Sequence, residues 1–327
     1  MKIMKKVAVF TSGGDAPGMN ACIRAVVRTA IHYGYEAVGI RRGYEGMIDG
    51  DFVELKQFGV SNIIQLGGTI LQSARSERFR TVEGRQEAYR QLIAADIDGV
   101  VAIGGDGTFT GANIFLKEFP EIRFIGIPGT IDNDLFGTDY TIGYDTAINT
   151  AMNAIDNIKD TANAHNRLFF VEVMGRDAGF IALRSGIATG AEAVLVPESK
   201  KDTNHLFSIL EKNLTQNKMS NIVVVAEGDE AGGAFKMAEK VREKFNNQFD
   251  IRVTILGHVQ RGGRPTCMER VLASRLGMES VRALMDGKTG LMVGEVDKKI
   301  VFTPFEKAIK HHEDLNSLLL DMVEILS

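Results

Sequence analysis

The sequence predicts an α/β protein with mostly parallel sheets, divided into two lobes, and three observations carry that prediction. Short β-branched runs alternate with longer stretches of helical periodicity, the pattern of strand–helix–strand units. At 327 residues the chain is long for one hydrophobic core. Its 35 glycines cluster at the ends of apolar runs, where tight turns and close approach of backbone to a ligand need a residue without a Cβ.

In chain order, strands are expected at 6–10 (KVAVF), 37–40 (AVGI), 99–104 (GVVAIG), 123–128 (RFIGIP), 167–173 (RLFFVEV), 193–197 (AVLVP), 221–227 (NIVVVAE) and 252–257 (RVTILG). Helices are expected at 18–32, 83–95, 108–118, 145–162, 203–213, 234–245 and 267–286. The first is the clearest: Pro17 suits the entry, and Cys22, Ile23, Val26, Val27 and Ala30 form an apolar stripe that reads as core packing. No fixed-period repeat, low-complexity tract or flexible linker breaks the chain.

Composition excludes several function classes. The 38 basic and 42 acidic side chains leave a formal charge of -4 and form no basic run suited to nucleic acid. No apolar run reaches the length of a membrane span, and the basic start is followed by an apolar stretch, Val7 to Phe10, too short for a signal peptide. The two cysteines, Cys22 and Cys267, form no Cys-x-x-Cys pair, which fits a reducing compartment. The expected protein is cytoplasmic, and its partners are small molecules or copies of itself.

Two similar loops follow strands, TSGGDAPG (11–18) and IGGDGT (103–108). Neither matches the P-loop or the dinucleotide fingerprint, yet both place glycine just before a helix N-terminus, where backbone N–H groups can meet a phosphate. One reading makes them tight turns with Asp15 and Asp106 as helix caps. The other gives Asp106 to a metal: a carboxylate beside a triphosphate is repelled unless Mg²⁺ lies between them. On that reading the Thr108 hydroxyl meets a phosphate oxygen or caps the helix.

After the strand ending at Pro128 comes PGTIDND. Asp132 and Asp134 would share a face if this segment is extended, and like charges on one face need a cation or a shared proton. One carboxylate would act as base and the other as its metal or water partner; an Asx-rich turn is the rival reading. The later half supplies Arg167, Arg176, Arg252 and Arg261 beside strand ends and glycines, as phosphate clamps require, while Arg264 reads as solvent-facing. His258 is assigned to substrate contact at most, and Glu227 to sugar hydroxyls.

TSGGDAPGMN, GGDGT, PGTIDND, VEVMGR and GHVQRGG, in this order, resemble the bacterial ATP-dependent 6-phosphofructokinases over nearly the whole chain. The resemblance implies two Rossmann-like three-layer lobes with the active site in the cleft between them. The larger, ATP-binding lobe would be 1–142 with 257–308, and the fructose 6-phosphate lobe 143–256 with 309–327. It also implies transfer of the γ-phosphate of MgATP to the 1-hydroxyl of fructose 6-phosphate. Asp132 is the implied base and Asp106 the magnesium-associated residue, while Arg176, Thr130 and the Gly14 backbone stabilise the transferring group. ATP is expected at Gly14, Tyr44, Arg75, Ser76, Gly105, Asp106, Gly107 and Thr108. The sugar phosphate is expected along Thr130, Ile131 and Asp132, at Met174, Gly175, Arg176 and Glu227, and along His258, Val259, Gln260 and Arg261. Arg167 and Arg252 would reach in from a neighbouring subunit of a homotetramer.

Two positions bear on the donor. Pyrophosphate-dependent relatives carry a second acid after the cradle aspartate and a lysine before Thr-Ile-Asp, where this chain has Gly107 and Gly129. Glycine at 107 leaves room for the α-phosphate of ATP. At the family's effector pocket Arg24, Arg28, Glu192 and Lys218 match, but Gln57, Asn62, Lys159 and Gln216 replace the usual residues, which implies a muted response to ADP and phosphoenolpyruvate. The rivals to an ATP-dependent enzyme are a pyrophosphate-dependent enzyme and a catalytically silent nucleotide-binding subunit of the same fold.

Overall fold

A computed structural model describes residues 5–165, 167–198, 203–216, 221–228, 232–309 and 315–326. The chain divides into two compact units, Met1–Thr146 with Arg261–His311, and Ala147–Gln260 with His312–Ser327. In chain order the elements are β1 (Lys6–Thr11), α1 (Met19–His32), β2 (Glu36–Ile40), α2 (Gly43–Asp49), β3 (Phe52–Glu54), α3 (Val82–Ala94), β4 (Gly99–Gly104), α4 (Asp106–Glu118), β5 (Arg123–Thr130), β6 (Ile142–Gly143) and α5 (Tyr144–His165). They continue with β7 (Arg167–Val173), α6 (Phe180–Thr189), β8 (Ala193–Leu195), α7 (Thr203–Thr215), β9 (Asn221–Ala226), α8 (Gly233–Lys244), β10 (Asp250–Ile255), α9 (Cys267–Met285), β11 (Leu291–Val296), β12 (Lys299–Pro304), α10 (Phe305–Ala308) and α11 (Ser317–Leu326).

The first unit is built on an 8-stranded sheet in the order β12-β11-β5-β4-β1-β2-β3, with β6 beside β5. Its central pairs are parallel, and the antiparallel β2–β3 and β11–β12 pairs close its edges. Buried on both faces, β4 reads GVVAIG without polar alternation, as parallel strands do. The core on one face is aromatic: Phe10, Phe109, Phe115, Phe124 and Phe305 are fully buried. Phe109 and Phe305 stack with centroids 5.3 Å apart. Gly126 of β5 is what admits them, since a Cβ there would fall 2.5 Å from Phe109 and 2.6 Å from Phe305.

Chain order along this sheet reverses at β1 and β4, because the chain winds from β1 to β2 on one side and from β4 to β5 on the other. Such a switch point opens a crevice at the carboxyl ends of the two strands, where open α/β sheets bind ligands. Register places Thr11 opposite Ile103, so both glycine loops leave the sheet side by side.

The second unit has a 4-stranded, wholly parallel sheet in the order β10-β7-β9-β8. Leu168, Phe170, Val223 and Val225 from its strands pack with Leu206 and Leu210 of α7 and Met237 and Val241 of α8. The strand expected at 252–257 runs instead over Asp250–Ile255, because Gly257, at φ +55°, turns the chain into a short 3₁₀ segment, Gly257–Arg261. No helix among the described residues is long and apolar enough to cross a membrane.

Candidate active site

In the first unit the β1 loop and the β4 loop form paired cradles. Gly13 (φ +86°) and Gly18 (φ +101°) take left-handed backbone that a Cβ would strain. Gly14 is exposed, and the Arg261 guanidinium lies against it: a Cβ on Gly14 would be 2.6 Å from Arg261 Nη1. An arginine over an uncluttered glycine backbone offers an incoming anion donors from two sides.

Neither helix behind these loops has a side-chain cap. The N-cap of α1 is Gly18 and that of α4 is Gly105, so no N-cap side chain serves either helix; the Gly105 carbonyl accepts the Thr108 and Phe109 N–H at 3.0 and 3.2 Å. The N-cap positions are thus glycine and not Asp15 or Asp106, and Asp106 stands in the first turn of α4, where a carboxylate is favourable to the helix dipole. Asp106 is half-buried at the first position of α4, and Gly107 is exposed with no heavy atom within 4 Å of where its Cβ would stand. Among the described residues no group of three or more His, Cys, Asp or Glu is arranged to hold a metal ion. A single carboxylate such as Asp106 could help to hold only a cation that brings most of its oxygens with it.

Two residues expected at the nucleotide lie beneath the cradle. Tyr44 is buried, stacks on Phe79 at 3.9 Å and donates its hydroxyl to the Thr108 carbonyl at 2.5 Å. It supports the first turn of α4 from inside the core and does not line the open face. Thr108 is also buried, with its hydroxyl turned under Gly104, where a Cβ would sit 2.3 Å from Oγ1. Ser76 donates to Glu45 Oε2 at 2.5 Å and accepts the Phe79 N–H at 3.1 Å, while Arg75 beside it is exposed. Arg78 ties the same segment to Glu45 and Asp49, both at 2.7 Å.

Sequence reasoning missed the residues that hold this segment on the cradle. Thr11 shares a 2.8 Å hydrogen bond with Thr69 and donates to the Gln72 carbonyl. Asn20, buried in the apolar face of α1, donates to the carbonyls of Leu66 and Gly67 and accepts the Ile70 N–H at 2.8 Å. A polar side chain on that stripe was the available signal, because a buried amide must find partners.

At the end of β5, Asp132 is buried and its N–H is held by Thr130 Oγ1 at 3.2 Å. Asn133 takes left-handed backbone (φ +54°), so the segment is not extended and strand alternation does not put Asp132 and Asp134 on one face. The Asn133 side chain closes the loop, accepting the Thr141 N–H at 2.7 Å and donating to the Asp139 carbonyl at 3.2 Å. Thr141 in turn donates to the Thr130 carbonyl at 2.6 Å. The Ile131 side chain between them is fully buried, which leaves only its backbone for a ligand.

In the second unit the chain leaves β7 through Met174, Gly175 (φ +140°) and Arg176 (φ +54°). Left-handed backbone is costly for arginine and persists where the surroundings fix it. Here Glu227 Oε1 accepts the Arg176 N–H at 2.8 Å, and a Cβ on Gly228 would collide with the Arg176 carbonyl. The exposed Arg176 side chain is thereby aimed by its backbone. Gln260 is fully buried, accepting the Met174 N–H and donating to the Gly257 carbonyl, so it braces this corner and does not present its amide to a substrate. His258 and Val259 on the same turn are exposed. Arg167 and Arg252, on neighbouring parallel strands, both bond Asp250, at 2.8 Å and 3.0 Å.

The residues expected at an effector pocket fall in both units. On α1, Arg28 lies close enough to Arg24 to lower its pKa, an effect secondary to burial. In the second unit Lys159 Nζ donates to the Thr189 carbonyl at the end of α6, at 2.7 Å. Glu192 is buried and accepts from Asn213 at 3.1 Å. Lys218 lies outside the described residues.

With this geometry in view, comparison with known proteins is decisive. A family model described as Phosphofructokinase matches residues 6–284. The chain belongs to the phosphofructokinase family. A Thermus thermophilus member named ATP-dependent 6-phosphofructokinase 1 is 56% identical over 324 residues, 99% of this chain and 100% of its own. A Cytophaga hutchinsonii member named ATP-dependent 6-phosphofructokinase is 55% identical over 99% of this chain and 98% of its own. Among solved structures, the phosphofructokinase from Saccharomyces cerevisiae superposes with a TM-score of 0.88 at 36% identity over 93% of this chain. This phosphofructokinase-family chain spans 45% of that yeast chain.

Proposed function

We propose that this chain is an ATP-dependent 6-phosphofructokinase, transferring the γ-phosphoryl group of MgATP to the 1-hydroxyl of fructose 6-phosphate to give fructose 1,6-bisphosphate and ADP in glycolysis. The observation that carries the reading is the start of α4, where a helix N-terminus with no N-cap side chain, an open Gly107 and the Asp106 carboxylate stand together. A bare anion would be repelled by Asp106; a metal-bound triphosphate uses all of these features. Relatives more than half identical and named for the ATP-dependent activity support the same donor.

Phosphoryl transfer depends mainly on positioning and on stabilising charge. Magnesium, held with Asp106, would supply neutralising charge at the outer phosphates. The Gly14 N–H, Thr130 and Arg176 would hold the oxygens of the group in flight. Asp132 takes the proton of the 1-hydroxyl as the new O–P bond forms and the bond to ADP breaks. Met174, Glu227, His258 and Arg261 would bind the sugar phosphate. Arg167 and Arg252 would serve a neighbouring subunit, in a cytoplasmic homotetramer whose first unit takes the nucleotide and whose second takes the sugar.

The test is fructose 1,6-bisphosphate formation from fructose 6-phosphate and Mg²⁺, with ATP and pyrophosphate supplied in parallel. Product with ATP alone is expected. Product with pyrophosphate alone overturns the donor assignment, and no product with either brings forward the silent subunit.

A further inference from the structure

We propose that Glu269 is a positioning residue for phosphoryl transfer, a buried carboxyl that holds the loops bearing Gly14, Asp132 and Arg261 in one arrangement; this rests on the reaction proposed above. Glu269 lies in the first turn of α9 and is fully buried. Thr266 and Glu269 have the spacing of a capping box, and Thr266 Oγ1 accepts the Glu269 N–H at 3.1 Å. In an ordinary box the glutamate would return to its own helix. Here it crosses to another: Glu269 Oε2 accepts both the N–H and the hydroxyl of Thr146 on α5, each at 3.1 Å.

The exchange is reciprocal. Thr146 Oγ1 accepts the Thr266 N–H at 3.3 Å, and Thr266 Oγ1 donates to Asp145. Two helix N-termini thus cap one another through a single carboxyl. A third rests on it, for a Cβ on Gly18, the N-cap of α1, would fall 2.9 Å from Glu269 Cγ and 2.9 Å from Ile142.

Each of these helices begins where a loop of the candidate site ends. The Gly14 loop runs into α1, the Asp132 loop into β6 and α5, and the Arg261 segment into α9. At the same junction Gly143 (φ +109°) is pressed between Ala16 and Ile131, its notional Cβ 2.5 Å from the first and 3.1 Å from the second. A displacement at Glu269 therefore reaches all three loops at once.

A carboxyl here carries a cost as well as these bonds. Burial raises its pKa to about 7 although the Gly143 backbone and Thr146 both bond the carboxyl, so the ionised form carries a desolvation cost that these partners do not fully offset. The charged group facing it is Asp145 of α5, which disfavours ionisation further. Gly18 and Ile142 are what α1 and β6 turn toward it, and Arg270 on its own helix is bound to the Pro265 carbonyl.

The test compares Glu269→Leu, Glu269→Gln and Thr146→Val by kcat, by KM for both substrates and by urea midpoint. Glu269→Leu is expected to lower kcat at least ~10-fold with KM for ATP within ~3-fold, as misplaced reacting groups do. Glu269→Gln, which keeps an acceptor for Thr146, is expected to restore kcat to within ~3-fold of wild type and to lose any ionisation near pH 7 from the kcat profile. A folded leucine variant with wild-type kcat, whatever its urea midpoint, overturns the proposal. If that variant does not fold, Thr146→Val decides, with a kcat loss of ~3-fold or more supporting the role and an unchanged kcat overturning it. A wild-type chain that makes no product overturns the reaction itself, and this assignment with it.

Discussion

Replacing Gly107 by aspartate would separate the demands of the ligand from those of the fold. Nothing lies within 4 Å of the position its Cβ would take, and the residue is exposed, so the free protein has room for the new side chain. It stands in the first turn of α4, where an acidic residue is favoured over glycine by helix propensity and by the dipole, together worth about 0.5–1 kcal/mol. The thermal midpoint should hold or rise slightly. Binding should move the other way. Two unit charges about 4 Å apart repel by about 1 kcal/mol in water and about 4 kcal/mol at an effective dielectric of 20. At 1.4 kcal/mol per tenfold, and weighting toward the aqueous limit for an exposed site, kcat/KM for ATP should fall by about 10- to 100-fold. Gly107→Asn has the same shape without the charge and should lose much less. The assay is kcat/KM with ATP and with pyrophosphate for all three proteins, beside their melting curves. An aspartate variant that melts normally and uses ATP as well as wild type would refute the placement of the α-phosphate over residue 107.

Three further outcomes follow from the same geometry. Asp132→Ser should lower kcat by at least ~10² with KM for fructose 6-phosphate much less affected, read by steady-state kinetics; unchanged turnover removes Asp132 as the base. Phosphoenolpyruvate should raise the half-saturating concentration of fructose 6-phosphate only slightly, because Lys159 is committed to the Thr189 carbonyl and Glu192 to Asn213, and a large rise would refute this. Glu269 ionises near 7 in the folded chain against 4.5 in the unfolded one, so between those values the folded form keeps a proton that the unfolded form has released. Stability should accordingly fall by about 3 kcal/mol as pH rises from about 4.5 to about 7 and level off above, whereas urea titrations of Glu269→Gln should lack that slope.

Strands such as GVVAIG and NIVVVA were legible because a strand buried on both faces must be apolar throughout, and the glycines after them marked the loops. Other elements carried no comparable signal. The β11–β12 hairpin turns at Asp297 and Lys298, both at positive φ, and neither residue type announces such a turn as Asn-Gly would. The helix α6, FIALRSGIAT, is apolar on nearly every side, so it has little periodicity to detect. At the site, residue types beside glycine could be read as chemistry, but side chains serving other loops could not. Tyr44, Gln260 and Ile131 looked like contacts by position and are interior supports, because adjacency in sequence says nothing about which way a side chain turns. The partners of Asn20 and Glu269 lie in segments remote in sequence, so their bonds could not be read from the chain.

The discontinuity of the first unit bears on how the chain is made. Residues up to Thr146 leave the ribosome with β5 paired on its outer side only by β6, at Gly129 and Thr130, since its neighbour β11 follows only after Ala147–Gln260 has been synthesised. The face of α1 that α9 covers waits equally long. During that interval the nascent chain displays a mostly unpaired parallel edge and apolar surface, the features that recruit other chains, so its yield in the cell is set by protection during synthesis as well as by the stability of the finished fold.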